Sequence, residues 1–212
     1  DATGPGDGSA EHPFPTIQLG VDNVYGLRNV YVYSASGAYR ENVLLTPDVT
    51  LWGSGSLLVG QDGKPFGSGV APVVDGMNLG PTFTMADRTT VRGFWIQNTV
   101  PEMLKSDDRG FLNVNRVGIF SDGATDLTIA ENTLANNTFG ALLIGEGNFL
   151  LRFTDNLVLN NSACGLAVSG MGNEGNTFDV LIENSQFVNN PEGGANITAN
   201  QYELAVTQLR NS

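Results

Sequence analysis

Cysteine is almost missing from this chain. Cys164 is the only one in 212 residues, so no internal disulfide can form. It sits in the apolar run Ala163-Cys164-Gly165-Leu166, where a small buried core residue is expected. Histidine is as scarce: His12 stands alone between Glu11 and Pro13, which reads as a loop residue and removes most imidazole-based sites. Positive charge is thin as well. Ten Lys and Arg face 22 Asp and Glu, a net charge of -12, which lacks the clustered cations that nucleic-acid phosphates require. The same balance argues against docking on an anionic membrane surface. No run approaches the ~18 apolar residues of a membrane-spanning helix, so membrane insertion is not expected. Long helical patterns of apolar residues are mostly missing too.

What remains is β-rich punctuation. Hydrophobic residues make up 41% of the chain, enough for one sizeable core, and they come in short runs broken by Gly, Asn, Asp and Ser. Those runs repeat. Leu127-Thr-Ile129-Ala-Glu131-Asn132 aligns with Leu151-Arg-Phe153-Thr-Asp155-Asn156 and with Val180-Leu-Ile182-Glu183-Asn184. Each is followed by an Asn pair, at 136-137, 160-161 and 189-190, and then by a strand led by Gly140, Gly165 or Gly194. Gly118 begins the same pattern one repeat earlier, so the leading glycines are spaced by 22, 25 and 29 residues. A period in the twenties with several short strands per repeat is the mark of a β-solenoid. A leucine-rich repeat needs a fixed Leu spacing and one strand per repeat, which this chain lacks.

The fold class expected is therefore all-β: a right-handed parallel β-helix of three-strand coils with an Asn ladder. Strands pair in parallel with their equivalents about 4.8 Å above and below. Leu127/Ile129, Leu151/Phe153 and Val180/Ile182 face inward and stack. Asn132, Asn156 and Asn184 are expected to form one column at a bend, with Asn98 and Asn211 extending it, because Asn tolerates left-handed backbone and its amides bond one another. Residues 16-25 carry apolar side chains at 17, 21, 24 and 25, a helical spacing, and a short helix there would cap the first coil. One domain spans 1-212, with 1-26 as N-terminal segment and cap and 27-212 as coils. Residues 60-72 and 99-117 read as insertions between strands. The last residues align in mid-coil, which predicts a fragment of a longer solenoid, or another chain capping that end.

The N-terminal third adds a resemblance. Asp7-Gly-Ser-Ala-Glu-His12-Pro-Phe-Pro-Thr-Ile17-Gln, followed by Val30-Tyr-Val and Gly37-Ala-Tyr39-Arg-Glu41-Asn-Val, resembles the opening of secreted or surface-anchored bacterial proteins of the pectin-lyase-like β-helix superfamily. The resemblance implies a cap helix at the first stretch, a first coil at the second, and an extracellular or cell-surface setting. It leaves activity open, since the superfamily holds both enzymes and adhesins. The Gly-His-Gly and Arg-x-Lys of polygalacturonase-like enzymes are absent, as is the Asp-Pro-His-Glu of alginate epimerases.

Three sets of residues are candidates for function. Lys105, Asp107, Asp108 and Arg109, with Glu102 and Arg116 nearby, supply the residue types of lyase chemistry, in which carboxylates hold Ca2+ against an acidic sugar and a base removes a proton. A solvated loop with local ion pairs is the competing reading. Glu131, Asp155 and Glu183 precede the Asn column, and stacked in a row they would repel, which a bound Ca2+ would relieve. Tyr25, Tyr31, Tyr33, Tyr39, Trp52 and Trp95 crowd the first half, and outward rings there would suit sugars. Two functions follow: a non-catalytic scaffold, adhesin or glycan-binding surface with a polysaccharide or surface glycan as partner, or a uronate polysaccharide lyase using loops 60-72 and 99-117. The missing histidine motifs favour the first.

Overall fold

The apolar alternation of the repeats closes into three parallel sheets. In the computed structural model, which describes residues 6-26, 28-59, 65-66, 69-98 and 116-210, every coil visits the sheets in the same order. The first sheet has seven strands, Asn29–Val32, Thr50–Gly53, Thr90–Arg92, Leu127–Ala130, Phe149–Thr154, Thr177–Glu183 and Leu204–Arg210. The second has Tyr39–Arg40, Val73–Asp75, Trp95–Gln97, Thr133–Ala135, Leu157–Leu159 and Gln186–Val188. The third has Val43–Leu44, Phe83–Thr84, Val117–Asp122, Phe139–Glu146, Cys164–Met171 and Gly193–Asn200. This is a right-handed parallel β-helix.

The core is a set of columns running along the axis. Val30, Leu51, Val91, Ile129, Phe153, Ile182 and Leu209 occupy one register through all seven strands of the first sheet. The five central members are fully buried, and burial of each aliphatic or Phe side chain stabilises the coil by about 1.5–3 kcal/mol. Phe149 stacks on Phe178 with ring centroids 5.3 Å apart, and Phe178 meets Tyr202 at 5.1 Å, so rings also tie successive coils. Cys164 is buried, and its thiol donates to the Leu166 carbonyl at 3.2 Å.

The cap helix is shorter than its pattern, spanning Ile17–Asp22. Ile17 and Val21 face the first coil and are buried, whereas Tyr25 lies beyond the helix and is exposed. Its first turn is capped from a distance: the Glu41 carboxylate accepts from Ile17 N at 2.9 Å and Gln18 N at 3.0 Å. The Gln18 side chain pairs with both main-chain groups of Leu44, at 2.8 and 3.2 Å, and so covers the free edge of the third sheet. The stretch around Gly37–Glu41 that carried the resemblance therefore holds the cap in place. The 60-72 insertion includes half of a small antiparallel hairpin, Leu58–Val59 with Pro65–Phe66.

The expected Asn column divides into two. Between the first and second sheets, Asn132 N donates to Asn156 Oδ1 at 3.0 Å, and Asn156 N donates to Ser185 Oγ at 3.2 Å. Ser185, not Asn184, continues this ladder. The reason is the inward alternation: Ile182 pairs with Phe153, so Glu183 falls opposite Thr154, one position earlier than the sequence alignment put it. Asn184 instead stands at the bend position of Glu131 and Asp155, and all three have positive φ, at 50°, 55° and 57°. The second ladder lies between the second and third sheets. It runs through the later members of the Asn pairs, Asn137, Asn161 and Asn190, with side-chain bonds of 3.0 Å at each step. Asn98 is buried near this second bend, where it donates to Gly80 O at 2.8 Å and accepts from Asn78 N. Asn211 lies outside the described residues.

Candidate functional site

The alternation that points half-buried Val30 and buried Val32 toward the core turns Tyr31 and Tyr33 to the outer face of the first sheet. Their rings meet edge to face, 5.0 Å apart at 75°. Cross-strand register continues the row: Tyr31 is opposite Trp52, and Trp52 is opposite Arg92. The Arg92 guanidinium lies 4.3 Å above the Trp52 ring, a cation–π contact. The same guanidinium is ion-paired to Glu131, and its Nε donates to Ser56 Oγ at 3.0 Å. Ser56 in turn donates to Glu131 Oε2 at 2.5 Å. Three coils thus contribute to one part-buried cluster in which the cation is neutralised.

At the N-terminal end this row opens into a cavity of about 490 Å3 between the segment before the helix, the helix and the first strand. Phe14, Tyr31, Tyr33 and Tyr39 supply its rings, and Asp7 supplies a carboxylate. The Tyr39 hydroxyl donates to the Tyr33 carbonyl at 2.9 Å, which fixes that ring. Burial raises the pKa of Tyr39, with the charge of Glu41 adding to it, and burial raises Tyr31 beside Tyr33, so both phenols stay neutral at neutral pH. Asp7 goes the other way. Hydrogen bonds from Ser9, side chain and backbone, hold its carboxyl below the usual value, with Ser9 N at 2.9 Å. The volume falls within the ~300–1,000 Å3 of small-molecule sites, and rings with a few convergent polar groups are what such sites use.

The other candidates from the sequence fare differently. Lys105, Asp107, Asp108 and Arg109 lie outside the described residues. The row of three carboxylates does not form, because Glu183 sits one register position before Glu131 and Asp155. Glu131 is held by Arg92 and Ser56, and Glu183 lies 4.0 Å from Arg210. Among the described residues no group of three metal-ligating side chains converges. Trp95 belongs to the second sheet, where its indole donates to Gln97 at 3.2 Å, and Tyr25 is separate and exposed. The aromatic residues were thus legible as a group, and the alternation of Tyr31 and Tyr33 with valines was the signal that could place two of them. Phe14 and the Arg92–Glu131–Ser56 cluster carried no such signal, since their partners are up to 75 residues apart.

No family model matches this sequence, and no curated protein does. Two solved structures are similar to it: a pectin methylesterase, PemA, from Erwinia chrysanthemi at 14% identity and TM-score 0.48, and a pectin methylesterase in complex with a hexasaccharide at 13% and 0.44. They cover 87% and 86% of this chain, which spans 64% of the length of each.

Proposed function

We propose that this β-helix is an extracellular or cell-surface glycan-binding module, with the outer face of the first sheet and the adjoining cavity as its binding site. One observation carries the reading: Tyr31 is at once a wall of the 490 Å3 cavity and the first member of the Tyr31–Trp52–Arg92 row. A cavity continuous with an aromatic ledge suits a chain molecule whose end enters the pocket and whose next units lie along the sheet. Aromatic faces receive the apolar C–H faces of sugar rings. The parallel β-helix supplies the rigidity, because each ring stands on a strand hydrogen-bonded to its neighbour.

Binding without turnover is the function this arrangement supports. Ser56, whose hydroxyl donates to the Glu131 carboxylate beside the aromatic row, is 1% exposed and is locked between Arg92 and Glu131, which leaves it no access to a substrate. The test is affinity electrophoresis through gels containing defined polysaccharides, with Trp fluorescence as a second readout. Retardation that disappears in Tyr31→Ala or Trp52→Ala, without loss of the folded state by circular dichroism, is the expected result. Release of an unsaturated, ultraviolet-absorbing product from a uronate polymer would replace this reading with the lyase reading of loops 60-72 and 99-117. Absence of retardation in every gel would overturn it.

A further inference from the structure

We infer that the saccharide taken by this site is uncharged, so that the module selects neutral glycans over polyuronates. The inference rests on the glycan-binding reading and adds the class of ligand. The charges around the site decide it. Among the described residues lining the cavity there is no Lys, Arg or His, and the one ionisable acid at its wall is Asp7. That carboxylate accepts from Ser9 N at 2.9 Å and is solvated, so it is an anion at neutral pH. A sugar carboxylate entering here meets an anion and aromatic rings, with no cation to replace the water it gives up.

Beyond the cavity, the first cation along the row is Arg92, and its guanidinium is already committed to Glu131, Ser56 and the Trp52 ring. Bidentate recognition of a carboxylate needs a free guanidinium fork, and this one is spent. Around the next bend, Arg88 is held by Asp48 through Nε at 2.6 Å and Nη2 at 3.2 Å. A bridging cation would serve a polyanion equally well, but no three ligating side chains converge among the described residues. The chain's net charge of -12 adds a long-range repulsion of polyanions that acts before contact.

A neutral sugar finds what it needs. Its ring faces meet Phe14, Tyr31 and Tyr33, and its hydroxyls meet Asp7 and the amide of Asn29 at the cavity wall. An ionised carboxylate is the strongest acceptor available for a sugar hydroxyl, so Asp7 favours the neutral ligand for the reason it rejects the charged one.

Affinity gels with neutral polymers (galactan, arabinan, xylan, mannan and β-glucan) and with polygalacturonate and alginate, each at low and high NaCl, separate the cases. Neutral polymers are expected to retard the protein to the same extent at both salt concentrations, with no retardation by the uronates. Asp7→Asn discriminates further. It lowers affinity about tenfold if Asp7 accepts from sugar hydroxyls, whereas it raises affinity for an anionic ligand by removing repulsion. Retardation by polygalacturonate or alginate that weakens in salt overturns the neutral assignment while leaving glycan binding intact. Failure with both classes overturns glycan binding itself. Should Asp7→Asn disturb the N-terminal turn, Tyr33→Ala gives an independent reading, with about tenfold weaker binding of the neutral polymer expected.

Discussion

Gly140 and Gly147 are seven residues apart and are glycine for opposite reasons. A Cβ on Gly140 would lie 2.5 Å from the carbonyl oxygen of Gly165 on the next coil, and 3.2 Å from the Asn161 amide. Gly118, Gly140, Gly165 and Gly194 share this position, so the repeated Gly of the sequence marks the close approach of successive coils. Gly147 has open space around its missing Cβ but a φ of +62°. Gly140→Ala is expected to cost about 2 kcal/mol or more through displaced backbone, and Gly147→Ala about 1 kcal/mol through backbone strain alone. Urea unfolding midpoints of the two variants check the order. Asp48 gives a second prediction at this scale. Its hydrogen bond to Arg88 lowers its folded pKa, so its contribution is fully present above the unfolded value of about 3.9 and is lost as pH falls through the lower folded one. Thermal melts between about pH 4 and pH 2 are expected to fall less steeply in Arg88→Met than in the parent.

At the scale of the element, the cap helix is the least self-sufficient piece. Six residues are too few to hold helical geometry alone, and Thr16, the N-cap, satisfies only Leu19 N among the leading amides. The two donors before it, Ile17 N and Gln18 N, are satisfied by Glu41, which lies 24 residues from Ile17 in sequence. Glu41→Ala is expected to destabilise the cap by about 1–2 kcal/mol. Faster hydrogen exchange at Leu19–Asn23, with the central strands unchanged, is the measurement. The helix itself was legible from the spacing of Ile17 and Val21. Its end at Asp22 was not, since Val24 and Tyr25 continue the apolar spacing while the Asn23 side chain bonds back to Leu19 O and closes the last turn.

At the scale of the whole molecule, the coils are joined by ladders that no single repeat contains. Asn161 donates to Leu134 O at 3.1 Å and to Asn190 Oδ1 at 3.0 Å, while its own oxygen accepts from Asn137 N and Nδ2. Asn161→Ala strands those buried partners and is expected to cost about 2–4 kcal/mol. Asn136→Gly, at an exposed bend position with φ 59°, is expected to be nearly neutral, and chemical denaturation of both variants tests the contrast. The repeat of apolar pairs, Asn pairs and leading glycines determined by itself that this chain coils into a three-sheet parallel β-helix, because stacked equivalents must share one environment. Which Asn stands above which was decided only by strand pairing: the inward alternation of Phe153 and Ile182 overrode the Asp-Asn and Glu-Asn alignment, so the ladder passed to Ser185. The binding surface was decided at the same level. Composition shows ten cations and 18 aromatic residues, but only the folded coil spends Arg92 on Glu131 and gathers Phe14 and three tyrosines around one cavity. Charge pairing and ring clustering across dozens of residues are products of coil stacking, and local sequence holds no record of them.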